Sequence, residues 1–125
     1  MFIRFMPKDG GAHRFDWEGV IIWLASNTSL TASNAVEVCP PAHGKWPCSR
    51  SFSLSGTHPL VKYFENGGSY SGGLTTTVGV FQLMVAWEDL TDAARYALNY
   101  TDFGSGVVSF NDYHFVSGLG KATLV

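Results

Sequence analysis

The stretch from Thr75 to Trp87 constrains this chain more than any other. In an extended backbone, successive side chains point to opposite faces. Phe81, Leu83, Val85 and Trp87 then share one face, and Val78, Val80, Met84 and Ala86 share the other. Both faces are apolar. A strand of this kind is stable only when both sides are covered, so the pattern predicts a long central strand.

Shorter segments read as further strands. Met1–Met6 is rich in β-formers and ends at Pro7 and the turn cluster Asp9-Gly10-Gly11. His13, Phe15 and Trp17 alternate with Arg14 and Asp16, the period of a half-buried strand. Gly19 breaks that run, and Val20–Ala25 follows as a continuous apolar strand. Val36–Val38, Ser51–Ser55, Val107–Phe110, Tyr113–Val116 and Ala122–Val125 complete the set. Pro59–Glu65 fits either a helical turn or a strand, and Gly67-Gly68 and Gly72-Gly73 read as turns around Tyr70. Asp89–Leu98 offers a helix start with capping and acidic residues, or a turn followed by a strand. About eight short strands at roughly ten-residue spacing predict an all-β fold. The expected architecture is a single antiparallel β-sandwich or small barrel over residues 1–125, with at most one short helix.

Composition narrows the function. Charged residues make up 14% of the 125 residues, against about 25% in a typical domain. Apolar surface is therefore expected to face a partner. The formal net charge is -2 and no Lys/Arg cluster occurs, which argues against nucleic-acid binding. No apolar run is long enough to span a bilayer, and Met1–Met6 is too short for a signal h-region. The expectation is a protein made in the cytoplasm, with no membrane contact.

Cys39 and Cys48 enclose a Pro/Gly-rich surface loop at 39–48. They could form a disulfide, remain two thiols, or join His43 in a metal clip that lacks a fourth ligand. His13, His43, His58 and His114 are scattered, and the ten acids show no acid/base pairing. Gly104-Ser105-Gly106 lacks the setting of a nucleophile elbow. No catalytic residue, cofactor or metal site is expected, and the chain reads as a non-enzyme. Trp17, Trp23 and Trp87 fall on apolar faces and read as core, whereas Trp46 in the Cys loop reads as exposed. Phe2, Phe5 and Trp46 are the candidate interface residues. The Met1–Met6 strand could add to a neighbour's sheet edge.

An ordered set of fragments carries a resemblance. Phe15-Asp16-Trp17-Glu18-Gly19 leads into Val20–Ser26 and Asn27-Thr28-Ser29. Thr57-His58, Tyr63-Phe64, Gly67-Gly68-Ser69 and Tyr70-Ser71-Gly72-Gly73-Leu74 follow. Then come Val85-Ala86-Trp87, Leu90-Thr91, Ala94-Arg95-Tyr96-Ala97-Leu98, Asp102-Phe103-Gly104 and Asn111-Asp112-Tyr113-His114-Phe115. In this order they resemble a family of small virion proteins encoded among the structural genes of tailed bacteriophages. Val36–Leu54 departs from that pattern. The resemblance implies an all-β structural protein located in the virion, and it turns Ala94–Tyr100 into a strand. It implies a capsid decoration protein bridging copies of the major capsid protein as a symmetric multi-copy assembly. The alternatives are a minor tail, connector or baseplate protein, or a carbohydrate-binding attachment module.

Overall fold

The computed structural model describes residues 1–7, 14–28 and 31–122. The Asp9-Gly10-Gly11 turn, His13 and the last three residues of the expected C-terminal strand lie outside them. Three strands form the central sheet: β1 (Phe2–Met6), β2 (Asp16–Leu24) and β3 (Ala35–Cys39). They run antiparallel in the order β1-β2-β3, with Phe5 opposite Trp17 and Ile21 opposite Cys39. Two hairpins follow, β4 (Leu54–Ser55) with β5 (His58–Pro59), and β6 (Val61–Asn66) with β7 (Ser69–Leu74). Two helices close the chain, α1 (Asp92–Tyr100) and α2 (Phe115–Lys121).

The fold is mostly β, and the described sheets close no barrel. β2 passes unbroken through Gly19, where two separate strands were expected. A Cβ at Gly19 would collide with the Phe2 carbonyl oxygen and the Ile3 side chain. The glycine there lets β1 close on β2 instead of breaking the strand. Gly72-Gly73 likewise lies inside β7 rather than in a turn.

Two helices stand where at most one was expected. Ala94–Tyr100 is helical, which corrects the strand that the phage resemblance implied. The cause is local: Thr91 Oγ1 accepts from the Ala94 N–H at 3.2 Å, and Asp92 sits in the positive first turn. Tyr113–Val116 and Val107–Phe110 are not strands either. The Asn111 side chain accepts from the Tyr113 and His114 N–H groups at 3.2 and 3.0 Å, which turns the chain into α2.

The buried centre is Ile21, Cys39, Trp46 and Ala122, with Met1, Ile3, Trp23, Cys48 and Leu119 packed against it. Trp23 Nε1 donates to the Ala122 carbonyl at 2.8 Å and ties the end of α2 to β2. An aromatic cluster adjoins this core. Trp17 lies 4.7 Å from Phe5, 5.6 Å from Phe103 and 5.5 Å from Phe110, ring centre to ring centre. Phe110 continues it edge-on to Trp87. Trp17, Trp23 and Trp87 are half-buried.

Cys39 and Cys48 form a disulfide. The metal clip with His43 is thereby excluded, since a bonded pair offers no thiolate. Trp46 is 6% exposed, which corrects its expected exposure. The disulfide folds the loop back, and the indole fills the space beside Ile21 and Cys39. Beside the bridge, the buried Glu37 carboxylate pairs with Arg50 Nε at 2.8 Å. Closing a ten-residue loop removes unfolded-chain entropy worth about 2–3 kcal/mol. Reduction, or Cys48→Ser, should lower the midpoint of thermal unfolding by roughly 8–15 °C for a chain of this size. Calorimetry with and without a thiol reductant checks this.

Candidate functional site

Strand period places Asp16 and Glu18 on one face of β2 and Trp17 on the other. The aromatic cluster anchors Trp17, so it also fixes how far the two flanking carboxylates can swing. Asp16 Oδ1 accepts from the Trp17 N–H at 2.9 Å, which orients that side chain further.

Glu18 is backed by the β6–β7 hairpin and the Cys loop. Gly72 N–H donates to the Pro41 carbonyl at 3.1 Å and joins the two. A Cβ at Gly72 would sit 2.7 Å from Pro41 Cδ and 3.3 Å from Glu18 Oε2. The missing side chain makes room for the carboxylate. Gly72→Ala should therefore cost about 1–3 kcal/mol of stability and displace Glu18. Chemical denaturation reads the first effect, and ligand titration reads the second.

These residues open onto a pocket of about 430 Å³. Asp16 and Glu18 lie on one wall, with Trp46, Tyr70, His43, Ser69, Ser109, His114 and Lys121 around them. His43 holds a left-handed backbone, φ 51°, at the tip of the Cys loop. Asn66 Nδ2 donates to its Nε2 at 3.5 Å, and Ser69 Oγ lies 3.4 Å from its Nδ1. The loop is thus held against the hairpin, and the disulfide fixes its root. Carboxylates, hydroxyls, imidazoles and the aromatic residues Trp17, Trp46 and Tyr70 together suit a small polar ligand that has an apolar face.

Among the described residues, the three-residue cluster of possible ligands is Glu37, Cys39 and Cys48, and the disulfide removes its sulfur donors. The two pocket carboxylates are oxygen donors of the kind hard divalent cations take, but one strand supplies only two. No described helix is long and apolar enough to cross a membrane.

Outside the pocket, Tyr96, Tyr100 and Tyr113 form an exposed aromatic row, with ring centres 4.6 and 6.0 Å apart. The Tyr113 hydroxyl donates to Tyr100 at 3.2 Å. That bond, with the nearby Tyr100 and Asp112 charges, holds the Tyr113 phenol above its ordinary pKa.

Comparison with known proteins decides the family. The profile described as "Necrosis inducing protein (NPP1)" matches residues 1–122. The chain belongs to this family. NLP effector protein 2 of Phytophthora capsici is 37% identical over 130 residues, covering 98% of this chain and 52% of that protein. NLP effector protein 14 of the same organism is 37% identical, covering 98% of this chain and 97% of its own length. The chain thus spans about half the length of the first relative and nearly all of the second. Among solved structures, NLPPya in complex with glucosamine superposes with a TM-score of 0.85 at 34% identity. That match covers 97% of this chain and 60% of the neighbour. The same protein has also been solved with mannosamine.

Membership in the necrosis-inducing family overturns the phage reading. The resemblance to virion proteins, the capsid decoration role, the tail and attachment alternatives, the major capsid protein as partner and the virion location all fall with it. The shared fragments were short, and their order was the only support.

The structure brings together residues that sequence reasoning left apart. Asp16 and Glu18 carry a readable signal, two acids separated by one residue on an alternating strand. The ten acids read as dispersed with no acid/base pairing, so these two did not stand out. His43 and His114 meet at the pocket although 71 positions separate them (114 − 43). Of the candidate interface residues, Trp46 lines the pocket from within the core. Phe2 and Phe5 are partly exposed on β1, away from it. β1 itself is paired with β2, so one of its edges is already used within the chain.

Proposed function

We propose that this chain is the ligand-recognising part of a necrosis-inducing effector, and that its pocket takes an amino sugar. Asp16 and Glu18 face the sugar's ammonium group. Tyr70 offers ring surface to its apolar face. Ser69, Ser109 and His114 offer hydrogen bonds to its hydroxyls. The observation that carries the reading is the pair of carboxylates, one residue apart on β2, set into the pocket wall.

Further support comes from the location of the pocket. Every wall lies between Asp16 and Lys121, inside the segment that matches the family. The neighbour bearing glucosamine shares this part of the fold. In this reading the protein binds and does not catalyse. Relatives are named for an effect on tissue, not for a reaction. The disulfide fits action in an oxidising extracellular setting. The finer architecture belongs to the same proposal: one sandwich-like domain, with the central sheet as one layer.

The test is titration with glucosamine, mannosamine and glucose, followed by amide chemical shifts. The two amino sugars should bind about tenfold tighter than glucose, a difference near 1.4 kcal/mol. The largest shifts should fall at Asp16, Glu18 and Tyr70. Equal binding of all three sugars, or shifts elsewhere, would remove the proposal.

A further inference from the structure

We propose that Glu37, Cys39 and Cys48 form a zinc site that the disulfide keeps closed and that reduction opens. The first observation is geometry. Glu37 and Cys39 lie two apart on β3, so they share one face of that strand. The returning Cys loop sets Cys48 beside them. One possible ligand atom from each of the three lies within 4.8 Å of the others. The backbone holds this arrangement without help from the sulfurs. Val38 N–H donates to the Ser49 carbonyl at 3.0 Å, and Ser49 N–H donates to the Val38 carbonyl at 3.1 Å. The two thiols therefore stay side by side once the bridge is broken. His43, the ligand that the loop's spacing brought to mind, is held by Asn66 and Ser69 instead.

The second observation is charge. Glu37 and Cys39 are fully buried. Taking a carboxylate out of water costs several kcal/mol, so it needs a cation beside it. Arg50 Nε supplies one at 2.8 Å, from a side chain that is 67% exposed. With zinc bound, two thiolates and one carboxylate face a guanidinium and a divalent cation. The site then holds three charges of each sign and stays neutral in the core. Sulfur donors favour zinc over the hard cations that oxygen ligands take. Three protein ligands leave a fourth tetrahedral position for water. Cys48 is half-buried and Arg50 is exposed, which gives the ion a way in from that side.

The chemistry balances with a dithiol as reductant. The S–S bond breaks, the dithiol's two electrons and two protons go to the sulfurs, and the dithiol becomes a disulfide. Zinc then forms two Zn–S bonds and one Zn–O bond, and the two thiol protons pass to water. Reoxidation takes two electrons from the sulfurs, closes the bridge and expels the ion. The same three residues thus hold a metal under reducing conditions and a covalent staple under oxidising ones.

Cobalt(II) titration tests this, because thiolate–cobalt bonds absorb in the near ultraviolet and carboxylate or imidazole bonds do not. The full chain is reduced with dithiothreitol and freed of it by gel filtration under argon. The expected result is one cobalt ion per chain, with a sulfur band that one equivalent of zinc bleaches. The oxidised chain should give no such band. Zinc should also raise the unfolding midpoint that reduction lowers, because it binds only the folded form. Glu37→Gln keeps both thiols and should weaken zinc binding about tenfold or more. Cys48→Ser should abolish the sulfur band. X-ray absorption on the zinc-loaded, unsubstituted chain gives a reading that needs no variant to fold, and it should find two sulfur ligands among oxygens. The proposal is overturned if the reduced chain shows no sulfur band, or if Glu37→Gln folds and binds zinc as tightly as the parent. A shell of four sulfurs would also overturn it, since two chains would then share the ion.

Discussion

Trp17→Ala is expected to destabilise the chain by about 3 kcal/mol, the lower end of the range for removing a large aromatic from a core. The lower end applies because the indole is half-buried. Its ring touches Phe5 of β1, Phe103 of the loop after α1, and Phe110 before α2. Three separate parts of the chain therefore lose a shared contact. Against a total stability of about 5–15 kcal/mol this is a large fraction, and the thermal midpoint should fall by roughly 10–15 °C. The indole N–H is buried with no partner among the described residues. Trp17→Phe removes that unpaired donor and keeps ring surface, so it should cost far less. Calorimetry of both variants decides the matter. Equal losses would mean that the aromatic cluster does not carry the fold.

The same side chain links stability to the site. Asp16 and Glu18 flank Trp17 on the opposite face of β2, so their placement depends on the packing beneath them. Trp17→Ala should weaken ligand binding even where the protein remains folded. Trp17 also lines the pocket, so the cluster and the pocket meet at β2.

That strand shows how far the sequence could be read. β-forming composition located β1, and alternation followed by a continuous apolar run located β2, although the break expected at Gly19 does not occur. The cysteine pair was readable as a possible bridge, but the inward fold of Trp46 was not. Exposure of a loop residue depends on what the loop packs against, and nothing local encodes that. For Asp92–Tyr100 the residues themselves offered a capped helix, and a resemblance overrode them in error. Here local chemistry was the better guide. The Thr75–Trp87 pattern demanded cover on both faces, and no described segment supplies it. The pocket was hardest to see. Its walls come from β2, the Cys loop, β7 and the region around α2, and only tertiary structure brings them together.

The double variant Asp16→Asn, Glu18→Gln should abolish the preference for amino sugars while leaving the fold intact. The two substitutions keep shape and hydrogen-bonding capacity but remove two negative charges from the pocket wall. Residues one apart on a strand face lie about 7 Å from each other, close enough for the two carboxylates to repel in a partly desolvated site. Their removal should therefore leave stability unchanged or raise it slightly, and the side-chain amide oxygen introduced by Asp16→Asn would still accept from the Trp17 N–H. The charge on the ligand loses its counterpart instead. The preference over glucose is worth about 1.4 kcal/mol, so its loss should lower glucosamine binding by about tenfold. Glucose carries no ammonium group, and its weaker binding should barely change. Titration of both sugars against both proteins separates the contributions. If glucosamine binding survives the double substitution, the pocket recognises its ligand by shape and hydroxyl contacts, and the carboxylates have another role. If stability collapses as well, the two acids belong to the framework of β2 rather than to its binding face.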